Sequence, residues 1–427
     1  LFKLIKYLLV ILLLLVVTFV GLFLTALESE PLVTTQSGQQ VDEAESVKKL
    51  MKQLSDSVKN RDSKQSITIT ENQLNSLVGF AQRAHRPLQG QVKITETSSQ
   101  ILTSYALPAN PFGRYLNIDI QLMPGAGILV EQVKFGSFSI PGDMALKTIV
   151  TLANWYTKSD IAQQFVDQVE YVAMSPNKVV LSVRPLDDFL NELNMVKQTV
   201  GSEGDEELRL RTAFYLKKLS ELPVGSKTRP QSLAKYIGPL FNWAKQRSSV
   251  ETAVQENEAA IMALAIYAGH HRFANFVGEV QPIPGKLALP KASPMLKFRG
   301  DLNQHFIFSA AIKIMSEQGL SIAIGEFKEL MDRGKGGSGF SFVDLAADIA
   351  GVEFAQSATD PNSARRVQLI LANKFSESAF FPAIKGLPEG LRKAEFTKRF
   401  TDADSPAYQQ MVAEIKNRIK VLPIHIN

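Results

Sequence analysis

Cysteine is absent from the 427 residues. That excludes disulfides, thiolate metal sites, a cysteine nucleophile and a lipobox cysteine. An oxidising compartment is compatible with this absence without being required by it. Charge of one sign is also scarce. The net charge of +5 is small for this length, and there is neither a concentrated basic stripe nor an RNA- or DNA-recognition motif, so no nucleic-acid partner is expected. Gly-x-Ser-x-Gly, His-Glu-x2-His and internal repeats are missing. The loop Arg333-Gly-Lys-Gly-Gly-Ser-Gly339 lacks the spacing of a Walker A motif and reads as a flexible loop. What remains is ordinary for a globular protein, 45% apolar and 21% charged, with length for two or three domains.

The first long hydrophobic run stands at the start. Residues 7–27 carry no charge and as a helix would extend about 31 Å, enough for a bilayer core of roughly 30 Å. Lys3 and Lys6 precede the run, and Glu28 and Glu30 follow it. By the positive-inside rule this predicts a transmembrane signal anchor over 1–27. The chain would be single-pass in the inner membrane, meeting it through Tyr7–Leu27, with its body in the periplasm. A cleaved signal peptide is the competing reading. Its apolar core is normally shorter, and Thr25-Ala-Leu-Glu-Ser29 offers no small-x-small cleavage site.

Residues 28–64 read as a polar tether followed by an amphipathic helix with Val47, Leu50, Met51, Leu54 and Val58 along one stripe. From Ser66 the period becomes two. Ser66–Thr70 is a predicted strand, and Thr70-Glu-Asn-Gln73 has the form of a capping box opening a helix. Further strands are expected near Gln91–Glu96, Ile101–Leu107 and Tyr115–Leu122, with Leu116, Ile118, Ile120 and Leu122 as the buried face. Val169–Ala173 and Lys178–Val183 make another pair around Ser175-Pro-Asn-Lys178, after a helical stretch from Met144. One-sided alternation describes an antiparallel sheet, so 65–184 is predicted as a sheet-plus-helix domain. Residues 185–280 read as helical. Ala259–Gly269 is too short to span a membrane and suits a buried helix. His270 and His271, adjacent on a helix, diverge by about 100° and make no metal pair by themselves. Pro282, Pro284, Pro290 and Pro294 mark a boundary before a helical domain over 281–427.

The densest set of reactive side chains lies in Asp301–Gly351: Asp301, His305, Glu326, Glu329, Asp332, Asp344 and Asp348. Helices are predicted over 302–317, over 321–331, and from Ser341, an N-cap. If the chain reverses near Gly319, the start of the first helix, the end of the second and the start of the third meet at one end of a bundle. His305, Glu329, Asp344 and Asp348 then form a candidate catalytic cluster. Together with Asp332 they are also candidate ligands for a divalent metal. An unbroken helix would instead separate His305 and Glu329 by roughly 36 Å.

Two resemblances follow from these residues. Asp301, His305 and Phe306, then Gly325, Glu329, Leu330 and Asp332, then Asp344, Leu345, Asp348 and Gly351 resemble the pattern of VanZ-like proteins and of YfiM-like bacterial lipoproteins, which have no settled reaction to carry over. VanZ-like proteins have Gln in place of Asp332 and Asn in place of Asp348. Ser66–Val78 and the strands after it resemble YceB-like periplasmic proteins, whose lipid-binding-type fold implies an apolar groove for an acyl chain. The plain alternative is an ordinary sheet covered by its helices.

The expected fold class is α+β: an N-terminal transmembrane helix, an antiparallel-sheet-plus-helix domain, then a largely all-α C-terminal region. The expected function is a membrane-anchored cell-envelope protein that binds or assembles, its partner a lipid or an envelope protein. The alternative is a metal-assisted or acid–base enzyme acting on an envelope lipid or glycan precursor through the His305 cluster.

Overall fold

The structure, a computed structural model, describes residues 21, 23–34, 37–111, 113–200, 206–224, 229–315, 324, 328, 337–373 and 376–426. It divides into two compact units, Leu1–Thr199 and Val200–Asn427. The fold mixes helices with antiparallel sheets.

The first unit carries two sheets. One contains β3 (Leu88–Ile94), β4 (Ser99–Ala106), β5 (Tyr115–Met123), β7 (Leu129–Phe135) and β8 (Phe138–Pro141) in that order, with β1 (Leu27–Glu28) beside β5. The other runs β2 (Gln65–Thr70), β10 (Lys178–Val183), β9 (Val169–Ser175) and β6 (Gly125–Ala126). Every pairing within them is antiparallel. Helices α1 (Ala44–Lys59) and α2 (Glu71–Ala84) precede β3, and α3 (Gly142–Thr157) and α4 (Ile161–Asp167) stand between β8 and β9. Helix α5 (Asp187–Val200) closes the unit. The predicted capping box starts α2: Gln73 N–H donates to Thr70 Oγ1 at 3.3 Å, and Thr70 N–H to Gln73 Oε1 at 2.9 Å. On α2, Asn75 both donates to and accepts from the Val92 backbone at 2.8 Å, so the helix satisfies the outer edge of β3. Val92, Ile94, Val172 and Val179 form one buried cluster, drawn from both sheets, and Leu50, Ile67 and Val183 form another.

The expected transmembrane helix is corrected. Residues 1–20 and 22 of that run lie outside the described residues. Among the described residues no helix is long and apolar enough to cross a membrane. The described end of the run also leaves the helix early: Ala26 is a turn, and Leu27 pairs in the sheet with Leu116. A backbone whose N–H and C=O groups are shared with a strand cannot continue a spanning helix. The signal anchor and the single-pass inner-membrane localisation with a periplasmic body therefore have no support here.

Nor are residues 28–33 a free tether. Leu32 N–H donates to Ser104 Oγ at 2.8 Å, and Asn117 Nδ2 donates to Glu30 O at 3.0 Å. Ser104 and Asn117 are cross-strand partners, both buried beneath this segment. On β5 it is thus Asn117 that is buried, whereas Leu116, Ile118, Ile120 and Leu122 are half-buried. The expected apolar face exists but is incompletely covered.

The second unit is mainly helical: α6 (Glu206–Glu221), α7 (Ala234–Arg247), α8 (Ala253–Leu264), α9 (Gly300–Met315), α10 (Phe342–Thr359), α11 (Ala364–Asn373), α12 (Lys393–Phe400) and α13 (Pro406–Lys420). A short parallel pair joins β11 (Gln231–Ser232) to β12 (Pro294–Met295). Ala259–Ala268 is buried, as its composition predicts, and ends in a π-helical turn. His270 and His271 stack at 4.4 Å, and His270 Nδ1 accepts from Arg272 N–H as a cap.

Helices α9 and α10 form the centre of this unit. Their pairings rise together, Arg299 with Asp344, His305 with Asp348 and Ala310 with Gly351, so the two run in the same direction. A Cβ at Gly351 would stand 2.1 Å from Phe306 O, a backbone atom with no rotamer to give way. Glycine is what lets the two backbones meet. Gly351→Val should therefore destabilise by more than about 2 kcal/mol through forced separation of the helices. Gly300→Ala, with nothing within 4 Å, serves as the neutral control. Equal urea midpoints for the two variants would show that the close approach carries no stability.

Candidate functional site

The Gly351 contact sets the polar cluster, because Asp348 lies just under one turn before it on α10. Asp348 is 3% exposed and accepts from Ser309 Oγ at 2.8 Å and from His305 Nδ1 at 3.1 Å to each oxygen. His305 and Ser309 are i, i+4 on α9 and so share one face. Ser341 caps α10 by accepting from Asp344 N–H at 3.0 Å, which places Asp344 on the first turn. His305 Nε2 then faces Asp344 Oδ2 at 3.9 Å and Lys328 Nζ at 3.4 Å. Arg299 closes the rim, 3.2 Å from Asp344, 2.6 Å from Asp301 and 2.7 Å from Glu389.

The Lys328 contact decides a question of topology. In an unbroken helix Lys328 and His305, 23 residues apart, would be about 35 Å from each other; the two therefore do not lie on one such helix. The expected turn at Gly319 itself lies outside the described residues, as do Glu326, Glu329 and Asp332. Of the candidate residues, His305, Asp344 and Asp348 are brought together. Ser309 and Arg299 join the cluster without having been expected from the sequence. The i, i+4 spacing from His305 was a usable signal for Ser309; Arg299, ahead of the helix, had none.

Burial works against a charged imidazole at His305. The hydrogen bond and charge of Asp348 outweigh that, Lys328 opposes and Asp344 assists, so the pKa stands above the ordinary histidine value. Burial likewise raises the Asp344 carboxyl, against the pull of His305 and Arg299. Asp301 is lowered, chiefly by its hydrogen bonds from Arg299. A neutral ring with its proton on Nδ1 accepts from Lys328 at Nε2; a protonated one would carry a donor there, 3.9 Å from Asp344 Oδ2.

Of the five candidate metal ligands, His305, Asp344 and Asp348 are among the described residues. Both ring nitrogens of His305 are engaged, and Arg299 and Lys328 already supply positive charge to the carboxylates. Among the described residues no group of three or more His, Asp or Glu could hold an ion. The cluster suits proton exchange at Nε2, with Asp348 orienting the ring.

A second site lies in the first unit. A cavity of about 270 Å³ opens between the sheets, lined by Ile69, Ile101, Leu122, Leu129, Phe165, Val172, Val179 and other apolar side chains, with Ser99 the polar exception. Its floor is the buried core. At its mouth Leu129 and Phe165 are 44% and 59% exposed. The half-burial of Leu122 and Ile101 is explained by this space.

Comparison with protein-family models, with curated proteins and with solved structures found no match for this chain.

Two outcomes test the polar cluster. Since the folded pKa of His305 lies above the unfolded one, its contribution to stability is complete below the unfolded value and is lost as pH rises through the folded value. His305→Asn should flatten that limb of the stability–pH curve, and an unchanged limb would contradict the ion pair. At neutral pH Asp348→Asn should cost about 1–3 kcal/mol by spoiling a buried hydrogen-bond pair, whereas Asp344→Asn, relieving a carboxyl that burial disfavours, should cost less. Denaturant titration of both variants gives the order, and the reverse order would contradict the assignment.

Proposed function

We propose that this chain is a binding protein whose first unit takes an aliphatic chain, of the acyl type, between its two sheets. The observation that supports this is the cavity: almost wholly apolar walls, a buried floor and an exposed apolar mouth. Filled protein interiors leave few voids larger than a water molecule, and an apolar void of this kind favours apolar guests over water. Its volume lies just below the ~300–1,000 Å³ of small-molecule pockets, which suits one aliphatic chain rather than a whole lipid. Each methylene withdrawn from water would add about 0.8 kcal/mol. With Ser99 as the polar lining residue, recognition rests on length and shape, and a polar head would remain at the mouth. The YceB-like resemblance of this region points the same way.

A second reading is favoured by the hydrogen bond from His305 Nδ1 to Asp348. A buried carboxylate orienting an imidazole, with Nε2 presented beside a lysine, is the arrangement of a general base that activates water near a developing negative charge. It predicts hydrolysis of p-nitrophenyl acyl esters that disappears in His305→Gln. Equal rates with and without His305 would end this reading.

Ligand binding is tested by titrating the delipidated chain with a fluorescent fatty acid. Saturable one-to-one binding is expected, with a rise in Tm that grows as RT ln(1 + [L]/Kd). Val172→Phe, which fills the floor of the cavity, should abolish binding while the unliganded Tm is kept. Undiminished binding by a folded Val172→Phe variant would place the ligand elsewhere.

A further inference from the structure

The helix that leads to the cavity mouth exposes apolar surface in quantity. On α3, Met144, Ile149, Leu152, Trp155 and Tyr156 are 53%, 61%, 60%, 78% and 72% exposed. They recur at helical spacing within an arc of about 140°, while Val150 on the opposite side is buried. Single exposed apolar residues need no explanation; a contiguous face of five large ones marks a surface that meets something apolar.

We propose that α3 docks this unit on the surface of a lipid bilayer. Four features select lipid over a protein partner. The hydroxyls on the helix are turned inward: Thr148 Oγ1 donates to Met144 O at 2.8 Å, Thr151 Oγ1 to Lys147 O at 2.7 Å and Thr157 Oγ1 to Ala153 O at 2.8 Å. A face whose polar groups bond to its own backbone asks nothing of its surroundings, as hydrocarbon requires. Trp155 and Tyr156 stand together at the C-terminal end, and their amphipathic rings settle at headgroup level. Lys147 and Lys158 flank the face, with stems long enough to carry their charges to the headgroups. The face also leads, through three residues, into α4, where Phe165 stands at the cavity mouth.

With Lys147 and Lys158 set against Asp143, the charge on the helix is slight. Apolar insertion therefore dominates, and binding depends little on anionic lipid or salt. The docking deepens the acyl-chain reading, on which it rests only in naming the bilayer as the source of the ligand. Fatty-acid titration in solution reports the cavity and the experiment below reports the helix, so each fails separately.

The chain holds two tryptophans, Trp155 and Trp243. In the full chain carrying Trp243→Phe, Trp155 is the sole indole and reports its own position, whichever other part of the protein meets the vesicle. Phosphatidylcholine vesicles with brominated acyl chains should shift its emission to the blue and quench it. Ile149→Glu with Leu152→Glu, both at exposed positions, should abolish the shift and the quenching at unchanged Tm. If Trp243→Phe does not fold, Trp155→Phe in the otherwise unchanged chain should remove the lipid-quenchable emission. Emission that stays red and open to iodide with vesicles present would overturn the proposal. So would a blue shift that depends on protein concentration without lipid, which would identify a second copy as the occupant.

Discussion

The first unit is governed by a space that its sheets do not fill. Val172 and Val179, which belong to a buried cluster with Val92 and Ile94, line the gap, and its other walls are apolar out to Leu129 and Phe165. Dispersion contacts are lost wherever side chains line a void, so the gap stands against the close packing of the rest of the core. The sheets are kept from closing over it by features outside the cavity. Segment 28–33 is bonded across Ser104 and Asn117 on the far face of β4 and β5, and Asn75 fixes α2 on β3. The incomplete burial of Leu122 and Ile101 follows from that frame.

The second unit is organised by the opposite condition, contact with no space at all. Gly351 brings α10 against the backbone of α9, and at that separation Asp348 meets His305 and Ser309 inside the interface. Taking a carboxylate and an imidazole out of water is unfavourable unless each finds its partner. Here each does, and Arg299 and Lys328 offset part of the remaining carboxylate charge. The same arrangement that satisfies burial sets Nε2 beside Lys328 and Asp344.

Local signals in the sequence were readable where they were chemically complete on a few residues. The Thr70–Gln73 capping box, the Ser341 cap and the alternation of the strands needed no tertiary information. The meeting of His305, Asp344 and Asp348 followed from placing helix starts at one end of a bundle. What failed depended on tertiary context. The apolar run into Leu27 read as one span because hydropathy does not register a strand partner such as Leu116. The leucines and isoleucines of β5 mark its apolar face, but nothing local shows that Asn117 on the other face is covered by a segment 85 or more residues away in sequence. Arg299 reaches Asp344 and Glu389 from distant positions, and no spacing rule connects them. A cavity, being an absence of side chains, leaves no pattern in a sequence at all.

The central claim, an aliphatic chain held between the sheets of the first unit, is tested most directly by native mass spectrometry of the protein purified without detergent. The account predicts a second population, heavier by one aliphatic acid and absent from Val172→Phe protein prepared in the same way. A single unliganded mass that persists after incubation with saturated acids of increasing length would contradict it.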